Sequence, residues 1–188
     1  MTSFTFLLAA TALPLFYIIL HFTYQKEYPV HLNGIVLVSG ASSGIGRHAA
    51  ERLAQEGYKV YCGVRKQKDK NDIILMKNSN LIPIIFDVTV HETSVDAVAI
   101  IEKDMQQSGL PFVALVNNAG ISRRMVAEFH DMEDIYRVFD TNVFGMMHLT
   151  QLCLPLLRQS KGRIVMISSV NGKIGKPYVF CFIMFYFH

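Results

Sequence analysis

From Ile35 onward the chain alternates short apolar runs with stretches in which apolar residues recur every three or four positions. Ile35 to Ser39 reads as a first strand, and Arg47 to Glu56 as a helix with Ala49, Ala50, Leu53 and Ala54 on its inner side. Gly57 falls where a helix-ending glycine belongs. Tyr58 to Val64 follows as a second strand, then a polar stretch and a weaker helix to Lys77. Leu81 to Phe86 gives a third strand, whose Pro83 cannot donate to a ladder and so predicts an edge position. Glu92 to Gln107 is a helix closed by Ser108-Gly109, and Phe112 to Val116 a fourth strand. A long helix, Asp131 to Arg158, leads to a fifth strand at Arg163 to Ile167. Near-continuous apolar strands separated by helices point to a parallel sheet covered on both faces. With right-handed crossovers the expected fold class is α/β, a doubly wound sheet with its ligand at the carboxyl ends of the strands.

Two terminal segments depart from this pattern. Phe4 to Phe22 contains no acid, Lys or Arg. At about 1.5 Å rise per residue it nearly spans a bilayer core as a helix, and Pro14 is better tolerated there than in water. A cleaved signal peptide is the rival, given Ala10-Thr11-Ala12, but no Lys or Arg precedes the run and it continues past Ala12. An uncleaved single-pass anchor is the expectation, with the endoplasmic reticulum as its membrane. Orientation stays open, since Lys26 and Glu27 flank the segment together. The tail, Val179 to His188, is uncharged up to its terminal carboxylate and too short to span. The expected organisation is an anchor and linker over 1–30, a nucleotide-binding domain over 31–178 and an aberrant apolar tail over 179–188.

Composition narrows the chemistry. The net charge of +3 is too mild and scattered to suggest nucleic acid, and no such partner is expected. Cys62, Cys153 and Cys181 form no C-x-x-C pair, and the seven histidines form no metal-binding motif, so no metal site is expected.

The chemistry-bearing residues fall where the strands end. Ser39-Gly40-Ala41-Ser42-Ser43-Gly44-Ile45-Gly46 joins the first strand to the first helix. Strand, glycine turn and helix bring a pyrophosphate onto free N–H groups at a helix N-terminus. The spacing is G-x-x-x-G-x-G rather than the commoner G-x-G-x-x-G. Asp87-Val88-Thr89 follows the third strand, Asn117-Asn118-Ala119-Gly120 the fourth and Ser168-Ser169 the fifth, while Asn142 sits within the long helix.

With these motifs, from Gly34 to Tyr178, the sequence resembles the short-chain dehydrogenase/reductase family, and specifically membrane-anchored types that act on retinol or steroids. The resemblance implies a Rossmann-like domain whose glycine loop, Gly40, Ser42, Ser43, Gly44, Ile45 and Gly46, holds the cofactor pyrophosphate. It implies that Asp87 and Val88 contact adenine, and that Asn117, Ala119 and Gly120 support the sheet and line the cofactor. Ser39 replaces the usual Thr and keeps its hydroxyl. An NAD site would offer an acid about 20 residues past the glycines. Here the position reads Gly63-Val64-Arg65-Lys66, and Arg65 with Lys66 suits a 2′-phosphate, so NADP(H) is expected ahead of NAD(H).

The family moves hydride between nicotinamide and a carbonyl or secondary alcohol. Ser169 matches its substrate-polarising serine, with Ser168 as the alternative, and Asn142 its proton-relay asparagine. The family's Tyr-x-x-x-Lys pair has no counterpart: Phe182 stands at the tyrosine position, no lysine follows Lys176, and neither Tyr178 nor Tyr186 fits. A tyrosine of pKa about 10 without a neighbouring cation is a poor base at neutral pH. The chain is therefore expected to be a C-terminally truncated product, inactive alone, from an alternative transcript or a misjoined gene. The rival expectations are a non-catalytic nucleotide-binding protein, one that forms a homo- or hetero-dimer with a full-length relative, and a fragment without function. The anchor makes a lipophilic substrate, such as a retinoid, steroid or sphingoid base, the expected class.

Overall fold

The computed structural model describes residues 14–17, 30–123 and 126–169, with only the backbone at Ala127. The expected anchor lies outside the described residues apart from one helical turn at 14–17, as do residues 170–178 and the 179–188 tail. Among the described residues no helix is long and apolar enough to cross a membrane. The chain divides into two compact units, Met1–Val30 and His31–His188.

Among the described residues of the second unit the apolar runs become five strands: β1 Ile35–Val38, β2 Lys59–Val64, β3 Leu81–Ile85, β4 Phe112–Asn117 and β5 Arg163–Met166. All pair in parallel, in the order β3-β2-β1-β4-β5. The helices are α1 Gly44–Gln55, α2 Gln67–Leu75, α3 His91–Ser108, α4 Met132–Phe139 and α5 Met146–Ser160. Strand alternation sorts the core into two layers. Ile35, Leu37, Phe112 and Leu115 face Ala97 and Ile101 of α3 and Leu149, Cys153 and Leu156 of α5. Val36, Val38, Val60 and Cys62 face Ala50 and Ala54 of α1 and Ile73 of α2. Each fully buried Ile, Leu or Phe contributes about 1.5–3 kcal/mol, so β1, buried along its whole length, anchors both layers. Lys59 and Tyr61 bind the two oxygens of Asp104, at 2.6 and 3.0 Å, and fasten β2 to α3.

Most elements fall where the apolar pattern puts them. Pro83 lies on β3, the outermost strand on its side of the sheet. Gly57 (φ +94) and Gly109 (φ +69) close α1 and α3 in the left-handed conformation that glycine adopts cheaply. Two differences matter for the site. The first helix begins at Gly44, so two of the loop glycines form its opening turn. The long helix is broken by a π turn, Asp140–Gly145, between α4 and α5. In β5, Ile164, Val165 and Met166 are 37%, 43% and 49% exposed, as expected for a fifth strand without a covering helix.

Cys62 and Cys153 are buried free thiols, as their apolar settings suggest. Burial pushes both from 9.0 up to about 12, and for Cys62 the nearby Arg47 offsets only part of this. The unfolded chain ionises these thiols first. Their contribution to stability is therefore complete below pH 9 and is lost as pH rises from there toward 12. Each thiol should cost about 1.4 kcal/mol per pH unit inside that window. Urea unfolding at about pH 8 and about pH 10 should show the loss, and the Cys62→Val, Cys153→Val double variant should flatten much of it.

Candidate functional site

The chain runs outward from β1 through β2 to β3, then returns to set β4 on the other side of β1. The loops leaving β1 and β4 therefore diverge, and a doubly wound sheet opens its crevice at that switch point. The glycine loop leaves β1, and Asn118 to Ile121 leave β4, at this place.

Close packing between the two loops explains two of the glycines. Gly40 has φ +66, and a Cβ there would lie 2.8 Å from the Ala119 Cα. A Cβ on Gly46 would meet the Asn118 amide and come 2.6 Å from the Gly40 carbonyl oxygen. Gly44 differs: φ is +57, but nothing lies within 4 Å of its Cβ position. It turns the chain into α1 and leaves open space over the helix start. Ser43, the N-cap, makes no side-chain cap, so the first N–H groups of α1 remain available to an anion.

Two polar side chains lock this geometry. The buried Ser39 hydroxyl accepts from the N–H groups of Asn118 and Ala119, each at 3.0 Å, and donates to the Val116 carbonyl at 3.3 Å. Asn118 returns the tie, its amide donating to the carbonyls of Ser39 and Gly40 at 3.0 Å. The hydroxyl that Ser39 retains is thus the strut between the loops.

The cleft has a volume of about 530 Å³. Gly40, Ser42, Ser43 and Ile45 form one part of its wall, Arg65, Lys66 and Asp69 another, and Asp87, Val88, Ala119 and Gly120 a third. Arg65 pairs loosely with Asp87 at 3.8 Å and is more than half exposed, so its guanidinium stays reachable. Asp87 is set by an Asx-type turn: its Oδ1 accepts from the Thr89 N–H at 2.9 Å and the Thr89 hydroxyl at 2.8 Å. Phe86 also lines the cleft, packed on the bare face of Gly63, where a Cβ would meet its ring.

The remaining expected residues are arranged differently. Asn117 is not on the cleft wall. It is the last residue of β4, and alternation turns it toward α5, where its amide donates to Thr150 at 2.8 Å and to the Met166 sulfur at 3.2 Å. The wall position belongs to its neighbour Asn118, together with Ile121 and Thr141. Asn142 is buried in the π turn and clamps Ile121, accepting from its N–H and donating to its carbonyl at 2.9 Å each. Ser169 is half-buried three residues past the end of β5 and is not part of the cleft wall. Gly46 is buried behind the wall, and the exposed Gly44 does not itself line the cleft. Among the described residues no group of three His, Cys, Asp or Glu side chains could hold a metal ion.

Comparison with known proteins agrees with this geometry. Residues 34–182 match the short chain dehydrogenase family. A 3-amino-tetrahydro-pyrrolizinone reductase from Xenorhabdus hominickii is 37% identical over 144 residues, covering 77% of this chain and 48% of that protein. Mouse mitochondrial D-beta-hydroxybutyrate dehydrogenase is 34% identical over 160 residues, 82% of this chain and 46% of that one. Mouse retinol dehydrogenase 7 is 32% identical over 157 residues, 83% and 49% of the respective chains. The chain thus spans about half the length of the curated relatives it matches. Among solved structures, a short-chain dehydrogenase from Streptomyces avermitilis superposes with a TM-score of 0.73 at 28% identity, covering 82% of this chain and 56% of that one. Serine dehydrogenase from Escherichia coli gives 0.72 at 27% identity, covering 80% and 68%. A glycine loop braced against a strand-end asparagine at the switch point of a parallel sheet, and a match over most of the chain, make this protein a member of the short-chain dehydrogenase family, whose cofactor is a nicotinamide dinucleotide.

Proposed function

We propose that the cleft holds NADP(H) and that the chain carries the cofactor half of an oxidoreductase acting on a lipophilic alcohol or ketone. One observation carries the cofactor choice. The wall after β2 offers Arg65 and Lys66 where an NAD site would place an acid, and Arg65 is exposed enough to turn toward a phosphate. The residues present suit such a group: open space above Gly44, the N–H groups of the first turn of α1, and the cations Arg65 and Lys66 beside them.

When bound, the dinucleotide would supply or accept hydride. The chain's own contributions are to hold and orient it. The α1 start and the Ser42-Ser43 backbone would face the pyrophosphate, Asp87 and Val88 the adenine, and Arg65 and Lys66 the 2′-phosphate. Asn142 would fix Ile121 and so the wall beside Gly120, and Ser169 would polarise a substrate oxygen. No Tyr-x-x-x-Lys pair occurs at its expected place, so proton transfer lacks its usual acid/base, and this chain would not turn over alone. Residues 4–22 would anchor the 31–178 domain to a membrane, which motivates the lipophilic substrate class. The retinol dehydrogenases among the relatives favour the same class.

A second reading is a non-catalytic nucleotide-binding chain that pairs with itself or a full-length relative. Calorimetry on the full chain in detergent tests the binding claim. NADPH should bind at least about tenfold tighter than NADH, since a charge-assisted contact contributes about 1.5–3 kcal/mol. Equal affinities would remove the NADP(H) assignment. Cofactor oxidation assayed with retinal, steroid and sphingoid ketones should stay at background. Turnover abolished by Ser169→Ala would overturn the inactivity claim.

A further inference from the structure

Three contacts converge on the six residues of the π turn. Asn142 clamps both polar groups of the Ile121 backbone. Thr141 lines the cleft itself, with its hydroxyl held by the Arg137 carbonyl at 2.9 Å. Gly145 presses its bare Cα on the loop after β3: a Cβ there would come 2.5 Å from the Val88 carbonyl oxygen and 2.8 Å from its carbon. Val88 and Ile121 both line the cleft. They leave strands three positions apart in the sheet, a separation of roughly 14 Å at one strand spacing each. In a regular α-helix, residues 142 and 145 would share one face. The i→i+5 bonding of a π turn spreads them, so one residue addresses each loop.

Resting on the dinucleotide reading above, we infer that the π turn is the spacer that sets the width of the cofactor cleft, with Gly145 as a positioning residue for the adenine side. The obstacle to any side chain at 145 is backbone, which cannot swing aside as a flexible side chain would. A methyl group there either drives the Val88 carbonyl toward the cleft or pushes the turn back and carries Asn142 with it. Both change the span that a whole dinucleotide must bridge. Asn142 acts on the Ile121 side alone, so its loss is felt by a ligand that reaches both walls.

Calorimetric titration of the full chain with NADPH and with adenosine 2′,5′-bisphosphate, an adenine-side fragment, separates these effects. Gly145→Ala should weaken both ligands about tenfold, as overpacking against backbone predicts. Asn142→Ala should weaken NADPH by a similar factor and leave the bisphosphate within about twofold. Gly162→Ala is the matched control, because its Cβ would meet the Leu157 side chain and the Val113 carbonyl at 2.7 Å, where the chain enters β5. That variant should lower the unfolding midpoint without moving either affinity beyond about twofold. Unchanged affinities in Gly145→Ala, or equal losses in Gly162→Ala, would overturn the inference. Hydrogen exchange on the unmodified chain covers the case in which Gly145→Ala does not fold. The bisphosphate should slow exchange across 140–145, and unaltered rates there would also overturn it. If the unmodified chain binds neither ligand, the dinucleotide reading itself fails, which is distinguishable from binding that ignores the turn.

Discussion

Gly40→Ala is expected to destabilise the domain by about 3 kcal/mol or more and to abolish measurable NADPH binding. Two costs add. The residue sits at φ +66, where an L side chain costs roughly 1–2 kcal/mol. The new methyl would also lie 2.8 Å from the Ala119 Cα, a backbone atom held by the Ser39 hydroxyl through its N–H. Relief requires the two loops to part, which breaks the bonds from Asn118 to Ser39 and Gly40 and widens the crevice at its floor. Urea unfolding and a calorimetric titration of the same sample check both effects. Gly44→Ala is the instructive comparison, because it carries the φ cost without the collision. It should lose less stability, and any loss of binding there would come from the added methyl facing the ligand.

The second large effect is expected at Arg65. Arg65→Asp should lower the ratio of NADPH to NADH affinity by about 100-fold, removing a charge-assisted contact and adding an acceptor suited to a ribose hydroxyl. Arg65→Ala should lower that ratio only about tenfold, because a side chain 58% exposed gains less from its charge than a buried one. NADH affinity should barely move in the alanine variant. Both ratios come from paired titrations at one ionic strength. An unchanged ratio in Arg65→Asp would mean that Arg65 stays with Asp87 and never reaches a phosphate.

What the residues disclose in advance, and what they hide, follows from how local the cause is. Pro83 announced its edge strand because a missing N–H is a property of that residue alone. Gly57 and Gly109 announced helix ends for a similar reason. The side of β4 on which an asparagine projects is less local, because the strand does not alternate strictly: Phe112 and Leu115 share the layer toward α5, Val113 and Val116 the other, and a register irregularity against β1 separates Phe112 from Ala114. The irregularity belongs to the pairing with β1, so Asn117 turns toward α5 for a reason that lies outside its own strand. The π turn is similar. Asp140 to Gly145 carries Asn and Gly, poor helix formers, but whether they end a helix, kink it or widen it depends on Val88 and Ile121, distant in sequence.

The strut at Ser39 has a consequence for how the protein comes into being. Its partners, Asn118 and Ala119, lie 79 and 80 residues away along the chain. No segment containing only the glycine loop can form the site, however well it matches the motif. The crevice closes only after β2 and β3 have been laid down on one side and the chain has come back to pair β4 with β1, a late, non-local step. During synthesis the nucleotide would therefore find nothing to grip until the first four strands had emerged. Its arrival would then selectively stabilise the longest-range pairing in the fold, so the ligand doubles as a clasp between β1 and β4.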